Sequence, residues 1–163
     1  PLPIGFEQTI SQPYIVALMT EALSLNGNEV ILEIGTGSGY QTSILSLLSR
    51  RVYSIERIKA LLVNAQSCFK KLKLTNIISE FGDGFLGWPK LAPFDHMIIT
   101  CAVKKIDNRL LNQIRVNGSC VVPIGKTITQ QRLKKIIIGN DRNEDVWEDL
   151  GKVSFVPLIT EKD

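Results

Sequence analysis

Short apolar runs alternate along this chain with longer stretches whose apolar residues recur every three or four positions, and that alternation predicts most of its elements. "EVILEIG" (29–35) reads as a buried strand, followed by a helix over "SGYQTSILSLLSR" (38–50) with Ile44, Leu45, Leu47 and Leu48 on its inner side. "RVYSIE" (51–56), "NIISEFGD" (76–83) and "FDHMIIT" (94–100) are further strands; "IKALLVNAQSCFKKL" (58–72) is a helix between the first two. A short helix over "NRLLNQIR" (108–115) leads through an Asn-Gly turn into the strand "SCVVPIG" (119–125). Upstream, "SQPYIVALMTEALSL" (11–25) predicts a helix starting near Pro13, since proline is well placed in a first helical turn.

Strands separated by helices demand crossover connections, hence an α/β fold with a mostly parallel sheet and helices on both faces. After Gly125 there is no room for a crossover helix. "RLKKIIIG" (132–139) and "KVSFVPLI" (152–159), joined by the polar "NDRNEDVWEDLG", are therefore expected to close the sheet as antiparallel strands. The 163 residues fit one domain, and ligands of such sheets bind at the carboxyl ends of the strands.

Composition narrows the picture by exclusion. With 44% hydrophobic and 21% charged residues, the chain is neither disordered nor fibrous. A net charge of +3 with dispersed Lys and Arg argues against a nucleic-acid partner. No apolar run approaches the roughly twenty residues of a membrane span. Cys68, Cys101 and Cys120 lie far apart, without metal-ligand spacing, so no metal is expected; reduced thiols and a cytoplasmic setting are the simplest reading. A monomer is the default expectation.

The candidate chemistry starts at "VILEIGTGSGY" (30–40). A triphosphate loop needs a lysine, and none lies between Gly35 and Arg50; a dinucleotide loop needs a last glycine where Tyr40 stands. Gly35, Gly37 and Gly39 form GxGxG, which suits a nucleoside without phosphates better. Glu56 ends the next strand, where a carboxylate can accept both ribose hydroxyls, although an exposed charge beside Arg57 fits the spacing equally well. Glu33 lies within an apolar strand, where a carboxylate needs partners; loop amides or a cationic ligand are expected. Asp83 in "GDG" can face a base or simply close a turn. Ser11, just before the helix at Pro13, is a capping candidate, and His96, in mid-strand without a nucleophile motif, reads as structural.

Taken in order, "TISQPY" (9–14), "LEIGTGSGYQT" (32–42), "SIER" (54–57), "GDG" (82–84), "PFD" (93–95), "VVPIG" (121–125) and "FVPL" (155–158) resemble the protein-L-isoaspartate O-methyltransferase family over essentially the whole chain. The resemblance implies a class I, Rossmann-like methyltransferase domain over residues 1–163, preceded in the family by a helical segment that these residues do not include. It implies S-adenosylmethionine as cofactor and isoaspartyl peptides and proteins as partners, methylated on the free α-carboxylate so that the ester can return through a succinimide toward normal aspartate. It places the cofactor on Gly35, Gly37, Gly39, Glu56, Asp83 and Gly84, to which the burial argument adds Glu33, the substrate on Thr9, Ile10 and Ser11, and the active-site serine at Ser11. Cys101, Lys104 and Lys105 depart from the small residues and prolines that the family generally shows there. A methyltransferase for another carboxylate and a cofactor-binding adaptor without turnover are the alternatives.

Overall fold

The structure is a computed structural model, and it describes residues 3–6, 8, 9 and 11–158. An N-terminal hairpin, β1 (Pro3–Gly5) and β2 (Gln8–Thr9), precedes helix α1 (Pro13–Ala22). Then follow β3 (Val30–Ile34), α2 (Tyr40–Leu48), β4 (Arg51–Glu56), α3 (Lys59–Lys71), β5 (Ile77–Phe81) and β6 (Phe94–Ile99). The chain continues through α4 (Asn108–Leu111), β7 (Ile114–Ile124), β8 (Arg132–Ile137) and β9 (Val146–Lys152). Among the described residues the main sheet runs β5-β4-β3-β6-β7-β8-β9. Its first five strands in that order are parallel and the last two antiparallel, the α/β architecture expected from the alternation of elements.

β3 is the hinge of this order, because the chain moves outward from it through β4 and β5 and then returns to its other edge as β6. Successive side chains of β3 enter opposite cores, as a strand covered on both faces requires. Leu32 and Ile34 pack with Phe94, Met97 and Ile99; Ile31 packs with Leu45, Val52 and Ile98 beneath Met19 and Leu23.

Three local expectations are corrected. Helix α2 does not bury Leu47 and Leu48, which are exposed; it buries Gln41, Thr42, Leu45 and Ser46. The reason is polar: Thr42 must reach Glu33 on β3, and Gln41 donates to Thr20 of α1. Helix α4 is a single turn, capped by Asp107 accepting from the Arg109 amide, because Phe94 N–H already claims the Gln113 carbonyl and β7 starts at Ile114. The last strand lies over Val146–Lys152, almost wholly within the expected linker, and meets the expected strand only at Lys152. An edge strand with mostly exposed side chains has no apolar alternation to read; it is held by its ladder to β8 and by Asp149, which receives Arg132 and Lys134 at 2.5 and 2.9 Å. Residues 153–158 instead form an irregular strap lying against Ala102, at the end of β6.

Of the two Asn-Gly pairs, Asn26-Gly27 lies in a bend before β3, whereas Asn117-Gly118 lies inside β7 and does not form the expected turn leading into it. Gly27 N–H donates to Glu29 Oε2 at 3.0 Å. Asn117, at φ 65°, and Gly118 form a bulge in β7: the step from Phe94 to His96 on β6 is matched by Ile114 to Ser119 on β7. A Cβ at Gly118 would collide with the Asp95 carbonyl oxygen and sit 2.9 Å from that of Arg115. Neither backbone group can swing aside, so Gly118→Ala is expected to destabilise the fold by about 1–3 kcal/mol, read as a lower midpoint in thermal or urea denaturation.

Candidate active site

A cleft opens at the carboxyl ends of the parallel strands, between the loop after β3, the N-terminal hairpin and the strap. Its lining includes Ile34, Gly35, Thr36, Gly37, Ser38, Glu56, Arg57 and Gly84 toward β3–β5, and Ile4, Gln8, Ser11, Thr100, Cys101 and Val156–Leu158 around the other side.

The three loop glycines serve different purposes. Thr100 Oγ1 donates to the carbonyls of Gly35 and Ile34 at 2.5 and 3.1 Å and occupies the space where a Gly35 side chain would stand. Gly39 begins α2 in the left-handed region, at φ 81°, and a Cβ there would lie 2.6 Å from the Phe69 ring of α3. It supports the loop from behind and does not line the cleft. Gly37 faces open space apart from Ile4, whose Cδ1 would lie 3.6 Å from an added Cβ.

Glu56 is the tie between loop and sheet. Its Oε2 accepts Gly37 N–H and its Oε1 accepts Ile58 N–H, both at 2.8 Å. Each carboxylate oxygen can accept a second hydrogen bond, so an acceptor position remains on each for a vicinal diol. Ile34, Ile55, Ile58 and Leu61 offer apolar surface nearby, and Gly84 leaves no room for a side chain, since a Cβ there would collide with Ile34 Cγ2. A nucleoside bearing a ribose and a flat base fits this donor and acceptor set. Asp83 does not line the cleft; its Oδ1 accepts Phe85 N–H at 2.9 Å and shapes the turn that presents Gly84.

Glu33 is placed differently from its expectation. It is fully buried on the face covered by α2 and is absent from the cleft wall. Its partners are two hydroxyls and not loop amides or a cationic group: Thr42 and Ser54 both donate to Oε2 at 2.5 Å, while Oε1 has no partner among the described residues. Ser54 in turn lies 2.6 Å from the hydroxyl of Thr36, inside the glycine loop. With Ser54 donating to Glu33, the Thr36 hydroxyl is the donor to Ser54, so the buried carboxyl orients a loop side chain two hydrogen bonds away. Thr36, Ser54 and Thr42 were not singled out in the sequence; a hydroxyl inside an otherwise apolar strand and another on the inward side of a helix were the available signals.

On the other side of the cleft, Gln12, not Ser11, occupies the capping position of α1, and it makes no side-chain capping bond. The helix-cap reading of Ser11 therefore fails, and Ser11 lines the cleft. Thr9 contributes its backbone to β2; its side chain, and Ile10, lie outside the described residues. Cys101 lines the cleft, but burial pushes its thiol up to about 12, with the Glu56 charge adding to the effect, so it stays protonated and unreactive. Lys104 and Lys105 are exposed and stand outside the lining. His96 packs away from the cleft, pairing through Nδ1 with Ser119, and burial lowers its pKa. Among the described residues no group of three His, Cys, Asp or Glu side chains is arranged to hold a metal ion.

Burial raises the Glu33 carboxyl to about 8, against the pull of the Ser54 and Thr42 hydrogen bonds and assisted by the charge of Glu56. The folded pKa lies above the unfolded one, so this contribution to stability is complete below about 4.5 and is lost as pH rises through about 8. The wild-type melting temperature should therefore fall as pH rises from about 4.5 to about 8, and Glu33→Gln, which cannot ionise, should flatten that fall in thermal melts across the same range.

The family model for protein-L-isoaspartate (D-aspartate) O-methyltransferase matches residues 1–163. A protein-L-isoaspartate O-methyltransferase of Dictyoglomus turgidum is 51% identical over 157 residues, 96% of this chain and 70% of that protein. Protein-L-isoaspartate O-methyltransferase 1 of Nitrosococcus oceani is 47% identical over 161 residues, covering 98% of this chain and 75% of the relative. A solved protein-L-isoaspartate O-methyltransferase superposes with a TM-score of 0.87 at 25% identity over 98% of this chain, which spans 51% of that longer one. A structure described as a beta-aspartate methyltransferase from Plasmodium falciparum, in complex with S-adenosyl-L-homocysteine, gives a TM-score of 0.84 at 25% identity, covering 98% of this chain and 79% of that one. The sheet order, the Glu56-tied glycine loop and these similarities lead to one conclusion: the chain belongs to the protein-L-isoaspartate (D-aspartate) O-methyltransferase family.

Proposed function

We propose that this chain methylates the free α-carboxylate of L-isoaspartyl residues in damaged proteins, with S-adenosylmethionine as donor. The observation that carries the reading is one cleft flanked by two unlike walls: a nucleoside-fitting wall built on Glu56 and the glycine loop, and a second wall containing Ser11 and the strap. The donor, when bound, supplies a methyl group already activated by its sulfonium sulfur. Glu56 holds the ribose diol, Gly35 and Gly37 let the nucleoside approach the backbone, and Gly84 accommodates the base. Asp83 and Gly39 act indirectly, by shaping the turn and the helix start on which those contacts rest, and Glu33 through its hydroxyl partners.

A carboxylate acceptor is already ionised near pH 7, so the residues need not remove a proton. Their task is alignment and exclusion of water. Ser11 is suited to donating its hydroxyl to one oxygen of the acceptor carboxylate, leaving the other to attack the methyl carbon; it is not a nucleophile. Resemblance to the family adds Thr9 and Ile10 as proposed substrate contacts beside Ser11. The lack of a histidine in the cleft lining agrees with a reaction that uses no base. The three cysteines are free thiols, Cys101 and Cys120 buried, which favours a reducing, cytoplasmic setting.

Incubation with methyl-labelled donor and paired peptides containing aspartate or isoaspartate tests the reading. Base-labile label confined to the isoaspartyl peptide is expected; label on both, or donor binding without transfer, contradicts it. Ser11→Ala should lower kcat/KM for the peptide about tenfold or more while leaving the melting temperature nearly unchanged, since no capping bond is lost. Glu56→Gln should weaken donor binding about tenfold or more in calorimetric titration, because an amide supplies one acceptor oxygen where two charged ones are used.

A further inference from the structure

We propose that Gln131 is a positioning residue for the methyl acceptor, acting through a side-chain clamp on the strap that forms the acceptor wall. The inference rests on the reading of the cleft given above. Gln131 precedes β8 and is buried at 4% exposure. Its Nε2 donates to the Phe155 carbonyl at 2.9 Å and its Oε1 accepts Phe155 N–H at 2.6 Å, while its own carbonyl accepts Val153 N–H at 3.2 Å.

The clamp answers a specific need. Residues 153–158 leave the sheet after β9, so Phe155 is buried without a ladder partner for its backbone. Buried peptide groups left unpaired are costly, and the primary amide of Gln131, with one donor end and one acceptor end, stands in for the missing strand. The Phe155 ring is held independently by apolar packing in the core of Leu133, Met19 and Leu23. Burial of the ring therefore secures the strap to the body, whereas the amide fixes the direction in which the backbone leaves Phe155.

That direction matters because the next three residues, Val156, Pro157 and Leu158, line the cleft. They are tied at their far side to Ala102, whose N–H donates to the Val156 carbonyl and whose carbonyl accepts Leu158 N–H, both at 2.8 Å. Ala102 follows the end of β6, whereas the donor contacts lie on the loop after β3 and at the end of β4. Gln131 itself does not reach the cleft. Its removal should disturb the acceptor wall and spare the donor wall.

Two variants test this. Gln131→Met keeps the volume and removes both bonds; the peptide KM should rise about tenfold, with kcat and the dissociation constant of S-adenosylhomocysteine changed less than about twofold. Gln131→Glu can reproduce both bonds only when protonated, so its peptide KM should approach the wild-type value as pH is lowered and exceed it as pH is raised, relative to wild type at each pH. A folded Gln131→Met with wild-type peptide KM and only a lower melting temperature overturns the clamp, as does equal weakening toward donor and peptide. If Gln131→Met does not fold, the pH dependence of Gln131→Glu decides, and a flat ratio to wild type overturns the proposal. A wild-type chain that methylates no isoaspartyl peptide overturns the underlying reading of the cleft, and the clamp's role falls with it.

Discussion

Parallel pairing of β3 with β4 on one side and β6 on the other is the constraint from which the site follows. Parallel strands end together, so Gly35, Glu56 and Thr100 reach the same edge of the sheet although they lie far apart in the chain. There Glu56 takes the Gly37 amide and Thr100 takes the Gly35 carbonyl, which fixes the loop from two neighbouring strands. The loop is held in shape by the ends of the strands flanking its own.

The same pairing creates the problem that Glu33 must solve. A strand covered on both faces leaves no water for a carboxylate, and the fold answers with hydroxyls from β4 and α2. That answer turns α2 so that Thr42 faces inward and Leu47 and Leu48 face outward, against the apolar count of the helix. Through Ser54 it also reaches Thr36, so a polar group with no place in the cleft wall still affects the loop that forms it. A carboxyl raised to about 8 makes this arrangement most comfortable when proton-loaded.

The two sides of the cleft are built by different means. The side with the glycine loop, proposed for the donor, uses ladder-bonded strand ends and one carboxylate. The opposite side, proposed for the acceptor, uses segments that are not part of the sheet core: a two-stranded hairpin and a strap clipped by single side-chain and backbone contacts. Ladder hydrogen bonds are repetitive and resist single substitutions, whereas a clip depends on one residue. Single substitutions therefore reshape the strap side of the cleft more readily than the glycine-loop side.

Much of the fold was legible because burial on both faces writes long apolar runs into the parallel strands and three-to-four periodicity into the helices between them. The glycine loop, Glu56 and Gly84 were legible because a strand end, a turn and a close approach each restrict residue type locally. "KVSFVPLI" misled because its apolar residues serve a strap and the cleft, while the true edge strand, needing only backbone partners, carries exposed residues with no pattern. Ser11 read from its neighbours as a helix cap and only through the family resemblance as a site residue; the position of Gln12 removes the cap. Local chemistry along the chain thus determined which elements form and which residue types stand at the strand ends that line the cleft. Only tertiary structure decided that Glu33 meets Thr42 and Ser54, that Gln131 meets Phe155 and that the strap faces Ser11's cleft, because these pairings join residues whose separation in sequence carries no record of their contact.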